Sequence, residues 1–297
     1  MRVAITGSNG LIGSALVRSL LDDGHQVVRL VRAASAAVPR DGSEVVHWDP
    51  AGGGARLEGV EAVVHLAGAG VGDRRWTASY KREIRDSRVR GTHAVARACA
   101  AEAVPPRVLV SASAAGYYGD TGGRPVDESA PAGDDFLASV CVEWEAAAEP
   151  AREAGIRVVH PRTGLVVARE GGAFGRMLPL FRLGLGGRLG SGEQYWPFIS
   201  LTDHVAALRF ALDTDALSGP VNFTAPEPLT NREVTRALGR ALHRPALAPA
   251  PALALRAVLG EFATSLTGSA RVVPAALSRA GFTFRHPTFE QALRSVL

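Results

Sequence analysis

The sequence is poor in lysine and cysteine. Lys81 is the only lysine among 297 residues, so the basic charge is carried almost entirely by arginine. The two cysteines, Cys99 and Cys141, lie outside any Cys/His spacing typical of a metal site, and we interpret both as buried thiols. The formal net charge of +4 is spread along the chain without a dense basic run. A weak, dispersed charge does not favour nucleic-acid binding, and we expect no nucleic-acid partner.

A long apolar segment is also lacking. The chain runs from Met1 directly into a glycine loop at residue 7, without the apolar stretch and cleavage site of a signal peptide. The most apolar late segment, residues 253–266, is interrupted by Arg256 and Glu261 and is too short for a bilayer span. We therefore expect a cytoplasmic protein without a membrane partner. The oligomeric state is left open, with a homodimer as one alternative.

Strand-like and helix-like patterns alternate through the first 165 residues. Apolar runs predict strands at 3–6, 27–31, 44–48, 62–66, 108–111 and 157–160. Helical spacing predicts helices at 11–21, 77–101 and 137–154. Such alternation predicts an α/β fold, namely a Rossmann-type doubly wound parallel sheet with helices on both faces.

The pattern changes after about residue 165, where glycine and proline become more frequent. Helical spacing continues at 232–243 and 253–266. We predict a Rossmann domain at 1–165, to which 198–223 returns, and a smaller substrate lobe at 166–297. The last part of that lobe, about 246–297, forms a distinct C-terminal region.

Three glycines recur at three-residue intervals directly after the first predicted strand. Gly7 would allow a tight turn, Gly10 would let the backbone approach a pyrophosphate, and Gly13 would let the following helix pack closely on the sheet. The helix N-terminus would face the phosphates with free N–H groups. The strand–loop–helix context therefore predicts a dinucleotide site formed by Gly7, Ser8, Asn9, Gly10, Leu11, Ile12 and Gly13.

The end of the second predicted strand indicates which dinucleotide binds. An NAD-binding protein usually has an acidic residue there, whereas this sequence has Val31 followed by Arg32. A guanidinium pairs with a 2′-phosphate, while an acid would repel it. We predict that the cofactor is NADP(H) and that Arg32 contacts it. The alternative is an exposed arginine without a ligand.

The glycine spacing resembles that of extended and atypical short-chain dehydrogenases/reductases. The small-residue turn after the fourth predicted strand is similar to the turn that lies beneath the cofactor in these proteins. The resemblance implies cofactor contacts from Leu66, Ala67 and Gly68, and small residues would allow close approach of the backbone. We interpret His65, at the start of the turn, as structural.

The same resemblance places Ser113, after the fifth predicted strand, at the position of the catalytic serine. The usual Tyr-x-x-x-Lys pair, in which lysine lowers the tyrosine pKa, is absent. The residues four positions after Tyr80, Tyr117, Tyr118 and Tyr195 are Ile84, Thr121, Gly122 and Ile199. Alignment with the family puts Phe136 and Val140 in place of this pair, and Arg88 in place of the usual asparagine.

Several segments are similar to one branch, the YfcH-like epimerase-family proteins. They are residues 73–77, 87–88, 113–120, 144–145, 161–164 and 177–187, and the resemblance extends through 231–242 to 280–284. It covers nearly the whole chain and makes 246–297 a family-specific region. It implies the fold and the cofactor, and leaves the substrate unknown.

Two functions from different classes stay open. The first is an NADP(H)-dependent oxidoreductase or epimerase-like enzyme of the extended short-chain dehydrogenase type, with Ser113 and Tyr117 as the catalytic residues. Tyr118, or Ser113 with water, is an alternative source of the proton, and Arg88 is a candidate cation beside Tyr117. The second is a non-catalytic NADP(H)-binding sensor or scaffold, which the missing tyrosine and lysine favour.

Other polar residues allow more than one interpretation. Gln194, Tyr195 and Trp196 either line a pocket or pack between the lobes. Asp203 and His204 could form an acid–base pair, although we favour Asp203 as a helix cap. The remaining polar residues, namely Asp127, Glu128, Asp134, Asp135, Arg182 and Arg188, are interpreted as loop surface, with a phosphate contact as the alternative for the two arginines.

Overall fold

A computed structural model describes residues 1–32, 41–50 and 55–297. Its strands are β1 (Arg2–Thr6), β2 (Gln26–Val31), β3 (Glu44–His47), β4 (Ala62–His65), β5 (Val108–Ser111), β6 (Ser113–Ala114), β7 (Pro125–Val126), β8 (Arg157–Thr163), β9 (Leu165–Val167), β10 (Tyr195–Trp196), β11 (Phe198–Ser200), β12 (Gly219–Phe223), β13 (Leu229–Thr230) and β14 (Arg271–Val272). Its helices are α1 (Leu11–Asp22), α2 (Ala78–Ala101), α3 (Phe136–Ala146), α4 (Glu149–Glu153), α5 (Gly172–Arg182), α6 (Leu201–Asp213), α7 (Asn231–Ala241), α8 (Ala252–Leu259), α9 (Ala263–Thr267), α10 (Ala275–Arg279) and α11 (Phe289–Arg294). Short 3₁₀ turns occupy Ala115–Tyr118 and Gly260–Phe262.

The main sheet is parallel and has the strand order β12-β8-β5-β4-β1-β2-β3, with β6 also pairing with β8. The chain winds outward from β1 in one direction through β2 and β3, and in the other through β4, β5 and β8. This reversal next to β1 is the switch point at which doubly wound sheets bind ligands, beyond the carboxyl ends of their strands. The predicted Rossmann-type α/β fold is confirmed.

Alternating residues of β1 bury their side chains on opposite faces of the sheet. Val3 and Ile5 belong to a core that contains residues of α1 and α6, whereas Ala4 belongs to a core that contains residues of α2 and α4. This two-sided burial explains why the strands are almost uniformly apolar. Cys99 lies in the second core, and burial raises the pKa of both cysteine thiols to about 12, as expected for inert buried thiols.

The later part of the chain adds to the main sheet and builds a further core. β12 pairs with β8 and is the edge strand of the main sheet, and α6 packs against α1, so both join the Rossmann core. β11 instead pairs with β9, outside the main sheet. A third core around Phe174, Phe198 and Phe289 joins α5, β11 and α11.

Two predicted helices are interrupted in the structure. The helix predicted at 137–154 ends at Ala146 and resumes as α4, which has Pro150 in its first turn, where proline is tolerated. The helix predicted at 253–266 is broken at Gly260, whose φ of +65° is incompatible with continuing an α-helix. In the described part of the chain, no helix combines the length and apolar character needed to cross a membrane.

Candidate functional site

The loop after β1 has the backbone geometry predicted for a dinucleotide turn. Gly7 has a φ of +67°, and a Cβ there would lie 2.9 Å from the carbonyl carbon of Leu66. Glycine is therefore required at this position for both conformation and space. The close approach also brings the two predicted cofactor segments, the 7–13 loop and the turn at Leu66, into direct contact.

The N-terminus of α1 is open to an anion. Gly10 is its N-cap residue and has no side chain that could cap the helix, and no acidic residue lies in the first turn. The first N–H groups of a helix lack intrahelical acceptors and carry the positive end of the helix dipole. Of the other loop residues, Leu11 and Ile12 are half-buried and Asn9 is exposed, whereas Ser8 is buried with its hydroxyl unpaired.

Gly13 brings the start of α1 close to the backbone that directly follows β1. A Cβ on Gly13 would lie 2.2 Å from the carbonyl oxygen of Gly7, whereas one on Gly10 would lie 3.3 Å from the same atom. The missing side chain of Gly13 therefore lets the helix close onto its own loop, and Gly10 has more room.

The turn at 66–69 is fixed by β1 and α2. Thr6 Oγ1 accepts from Leu66 N (3.1 Å) and Ala67 N (3.2 Å), and Ser87 Oγ accepts from Ala69 N (3.1 Å). Leu66 and Ala67 are half-buried and Gly68 is exposed. The predicted cofactor residues of this turn therefore face the same edge of the sheet as the glycine loop.

An arginine that sequence reasoning missed supports the glycine loop. Arg29 on β2 is buried and donates from Nη1 to Ser8 O and Asn9 Oδ1, each at 3.2 Å. Its charge is balanced by an ion pair with Asp41. Arg32, at the end of the same strand, is exposed. Its guanidinium is therefore accessible for a phosphate, as the NADP(H) prediction requires.

Ser113 lies at the centre of a buried polar network. Only 3% of its surface is exposed, and its Oγ donates to Glu145 Oε1 at 2.7 Å. Glu145 also accepts from Arg162 Nε (2.8 Å) and Nη2 (2.9 Å), a bidentate pair. In this arrangement the single Ser113 proton is used by the protein, so the Ser113 oxygen is left with acceptor capacity only.

The two neighbouring tyrosines differ in the freedom of their hydroxyls. Tyr118 OH donates to Asn222 Oδ1 (2.6 Å) and accepts from Arg162 Nη1 (3.0 Å), and burial raises the pKa of Tyr118 to about 12. Tyr117 is half-buried, and the Arg162 guanidinium carbon lies 3.3 Å from its ring centroid. The Tyr117 hydroxyl has no hydrogen-bond partner among the described residues and is accessible to solvent. Tyr117 is therefore better placed than Tyr118 to meet a ligand.

The positions of the usual tyrosine and lysine carry no acid–base group. Phe136 starts α3 and packs edge-on against Trp76 (5.1 Å between centroids), and Val140 is buried. Lys81, although distant in sequence, lies 4.4 Å from the Phe136 ring centroid and pairs with Glu261 at 2.6 Å. The cation next to Tyr117 is Arg162, whereas Arg88 contacts the 66–69 turn, Ile84 on its own helix and Trp144 on α3.

The predicted acid–base alternatives have structural partners. His65 bonds Thr6 Oγ1 through Nδ1 (2.7 Å), and burial lowers the pKa of His65 to about 4. Asp203 is not the cap of α6, because Ser200 fills that position. Asp203 instead accepts from Arg285 N (2.8 Å) and His286 N (2.9 Å), while His204 contacts Thr163. Asp203 and His204 therefore do not act as a pair.

Two of the three side chains in the segment 194–196 are buried in contacts with the rest of the protein. Gln194 Nε2 and Trp196 Nε1 both donate to Leu266 O, at 3.2 and 3.1 Å, and both side chains are buried. Tyr195 is half-buried, with the Arg271 guanidinium carbon 4.9 Å from its ring centroid. This favours the interpretation of inter-lobe packing for Gln194 and Trp196.

The surface acids predicted for the 127–135 region differ in role. Glu128 is not simply loop surface, because its carboxylate accepts from Asn222 N (2.9 Å) and from Ala276 N (3.1 Å), at the start of α10. Asp135 is exposed and caps α3 by accepting from Ala138 N (2.8 Å). Both acids therefore hold backbone groups of the fold.

Comparisons with known proteins agree with this geometry. Residues 3–223 match the model of the NAD dependent epimerase/dehydratase family, and residues 250–296 match a domain of unknown function, DUF1731. An epimerase family protein of Mycobacterium bovis is 49% identical over 295 residues, covering 98% of this chain and 96% of its own.

Two solved structures are also similar. Human epimerase family protein SDR39U1 (isoform 2) with NADPH has a TM-score of 0.92 and 34% identity, covering 100% of this chain and 99% of its own. A nucleoside-diphosphate sugar epimerase of Corynebacterium glutamicum has a TM-score of 0.80 and 35% identity, covering 99% of this chain and 57% of its own. This chain thus belongs to the NAD-dependent epimerase/dehydratase family and has its NAD(P)-binding Rossmann-type fold.

Proposed function

We propose that this protein is an NADP(H)-dependent oxidoreductase or epimerase-like enzyme. The observation that carries the proposal is the uncapped N-terminus of α1 at the glycine loop, with the exposed Arg32 at the end of the neighbouring strand. The first feature suits a pyrophosphate and the second a 2′-phosphate. The NADPH in the human SDR39U1 structure supports the same choice of cofactor.

When bound, NADP(H) supplies or accepts a hydride, and the protein has to hold the substrate and move a proton. We assign the proton-bearing group to Tyr117, because its hydroxyl is free while that of Tyr118 is used by Asn222 and Arg162. The Arg162 guanidinium on the Tyr117 ring provides a positive charge beside the phenol.

Ser113 has the second role in this proposal. Because its proton is donated to Glu145, Ser113 Oγ is oriented to accept a hydrogen bond, for example from a substrate hydroxyl. Glu145 and Arg162 act through Ser113 and Tyr117 and are positioning residues. Phe136 and Val140 take no part in proton transfer, since neither side chain can ionise.

The test is a screen of carbonyl compounds for NADPH oxidation, followed by variants on any active compound. We expect Ser113→Ala and Tyr117→Phe to lower kcat/KM far more than Phe136→Leu does. If Phe136→Leu were the most damaging of the three in a folded protein, the assignment of the site would be wrong. If no compound were oxidised or reduced, and a protein partner bound only the NADPH-loaded form, the sensor or scaffold function would replace this proposal.

A further inference from the structure

Arg88 is a half-buried cation without a counter-charge among the described residues. The two arginines that are fully buried in the described part of the chain, Arg29 and Arg162, each pair with a carboxylate. Arg88 forms no ion pair with any described carboxylate, and its hydrogen-bond acceptors there are the neutral carbonyl oxygens Ala69 O (2.9 Å) and Ile84 O (3.0 Å). Its charge is therefore left uncompensated by the described residues.

The surroundings of Arg88 remove much of its solvent. Its guanidinium carbon lies 4.9 Å from the Trp144 ring centroid, and a Cβ on Gly68 would lie 3.4 Å from Arg88 Cγ and Cζ. Burial lowers the pKa of the Arg88 guanidinium, which nevertheless stays charged at neutral pH. A desolvated charge without a partner is unfavourable, and a bound anion would remove that cost.

Part of the Arg88 guanidinium remains available to a ligand. Both carbonyl bonds are made by Nη1, so Nε and Nη2 have no partner among the described residues. Both atoms remain partly accessible to solvent. A guanidinium with free donors suits the two oxygens of a carboxylate or a phosphate. The contact with Gly68 places these donors beside the turn predicted to hold the cofactor.

We propose that Arg88 binds an anionic oxygen group of the substrate, so that the substrate class is a carbonyl or hydroxy compound bearing a carboxylate or a phosphate. This inference rests on the proposed function, since it assigns Arg88 to the same site. The phosphates of the cofactor are a second source of the same chemistry, and the experiment separates the two sources.

The test uses oxalate and inorganic phosphate as anion probes, with oxamide as an uncharged analogue of oxalate. Each is titrated at constant ionic strength into the cofactor-free and the NADP⁺-loaded protein, and binding is followed by calorimetry and by tryptophan fluorescence, since Trp144 contacts Arg88. The variants are Arg88→Gln, Arg88→Lys and two controls. Arg97→Gln removes an exposed arginine from the same helix, and Ser87→Ala releases the 66–69 turn without removing the cation.

We expect saturable oxalate or phosphate binding to the NADP⁺-loaded wild type, and no oxamide binding. Arg88→Gln should weaken anion binding roughly tenfold or more, whereas Arg88→Lys, which keeps the charge, should lose less. Arg97→Gln should bind the anion as the wild type does. Ser87→Ala measures what loosening of the turn alone does to anion and NADP⁺ binding, and Arg88→Gln should lose more anion affinity, and no more NADP⁺ affinity, than Ser87→Ala does.

The proposal is overturned if the wild type binds neither anion, or if Arg88→Gln binds them unchanged. It is also overturned if NADP⁺ displaces the anion and Arg88→Gln weakens NADP⁺ binding instead, because the cofactor would then supply the anion. Failure of the proposed function looks different: the wild type would not bind NADP(H), while the cofactor-free titrations would still report on Arg88.

Discussion

Ser113 donates its hydroxyl proton to Glu145 at 2.7 Å, and the same carboxylate forms a bidentate pair with Arg162. The relationship joins β6, α3 and β8 beneath the carboxyl end of the sheet. It defines the hydrogen bonds that Ser113 can still make and explains why a carboxylate is tolerated in this buried place.

Removing Glu145 should cost far more stability than removing the Ser113 hydroxyl. Glu145→Ala leaves the buried Arg162 charge unpaired, and we expect a loss of about 3–5 kcal/mol in the free energy of unfolding. Ser113→Ala removes one hydrogen bond and should cost about 1 kcal/mol. Urea unfolding of both variants measures the difference, and equal losses would contradict the described network.

Three buried histidines should make the protein sensitive to mild acid. Burial lowers the pKa of His65 and His160 to about 4 and that of His204 to about 3. Above pH 6.5 these groups are neutral in both folded and unfolded chains, so stability is fully present there. As the pH falls from 6.5 toward the folded-state pKa, the unfolded chain takes up protons first. Each histidine then lowers the free energy of unfolding by up to roughly 1.4 kcal/mol per pH unit.

The free energy of unfolding between pH 6.5 and 5.5 tests this pH dependence. We expect it to fall with pH in the wild type, and to fall less steeply in His204→Asn, which lacks one of the buried groups. His93→Asn removes an exposed histidine of α2 and should keep the wild-type slope. Identical slopes for all three proteins would show that buried histidines do not cause the acid sensitivity.

Substitutions at Gly10 and Gly13 should have different effects, the first on cofactor binding and the second on stability. Gly10→Val adds a side chain where a pyrophosphate would approach, and we expect loss of NADPH binding in a folded protein. Gly13→Ala places a Cβ 2.2 Å from Gly7 O, and we expect a clear loss of thermal stability. Calorimetric titration and thermal unfolding measure the two effects. Wild-type NADPH affinity in a folded Gly10→Val protein would show that the loop has another role.

The fold and the cofactor loop could be predicted from local patterns. The apolar runs and helical spacing of the first 111 residues reproduce the strands and helices within one or two residues, because each element carries its own signal. The interruption at Gly260 escaped prediction, since a single glycine inside a helical pattern does not reveal a φ of +65°.

The polar network depends on contacts that local patterns cannot supply. Glu145 and Arg162 are 17 residues apart on different elements, and the sequence marks them only as parts of family motifs. Arg29 likewise reaches the loop at Ser8 from 21 residues away. The helical position of Glu145 could have suggested an inward-facing acid, because Cys141, one turn earlier, is also buried.

Calorimetric titration of NADPH and NADH shows whether the loop at 7–13 and Arg32 together bind NADP(H). The wild type should bind NADPH more tightly than NADH, because a charge-assisted contact with the 2′-phosphate contributes about 1.5–3 kcal/mol. Arg32→Ala should lose most of this preference while keeping its NADH affinity. Arg18→Ala, which removes an exposed arginine of α1, should retain the preference. Equal wild-type affinity for NADPH and NADH would rule out a 2′-phosphate contact at Arg32.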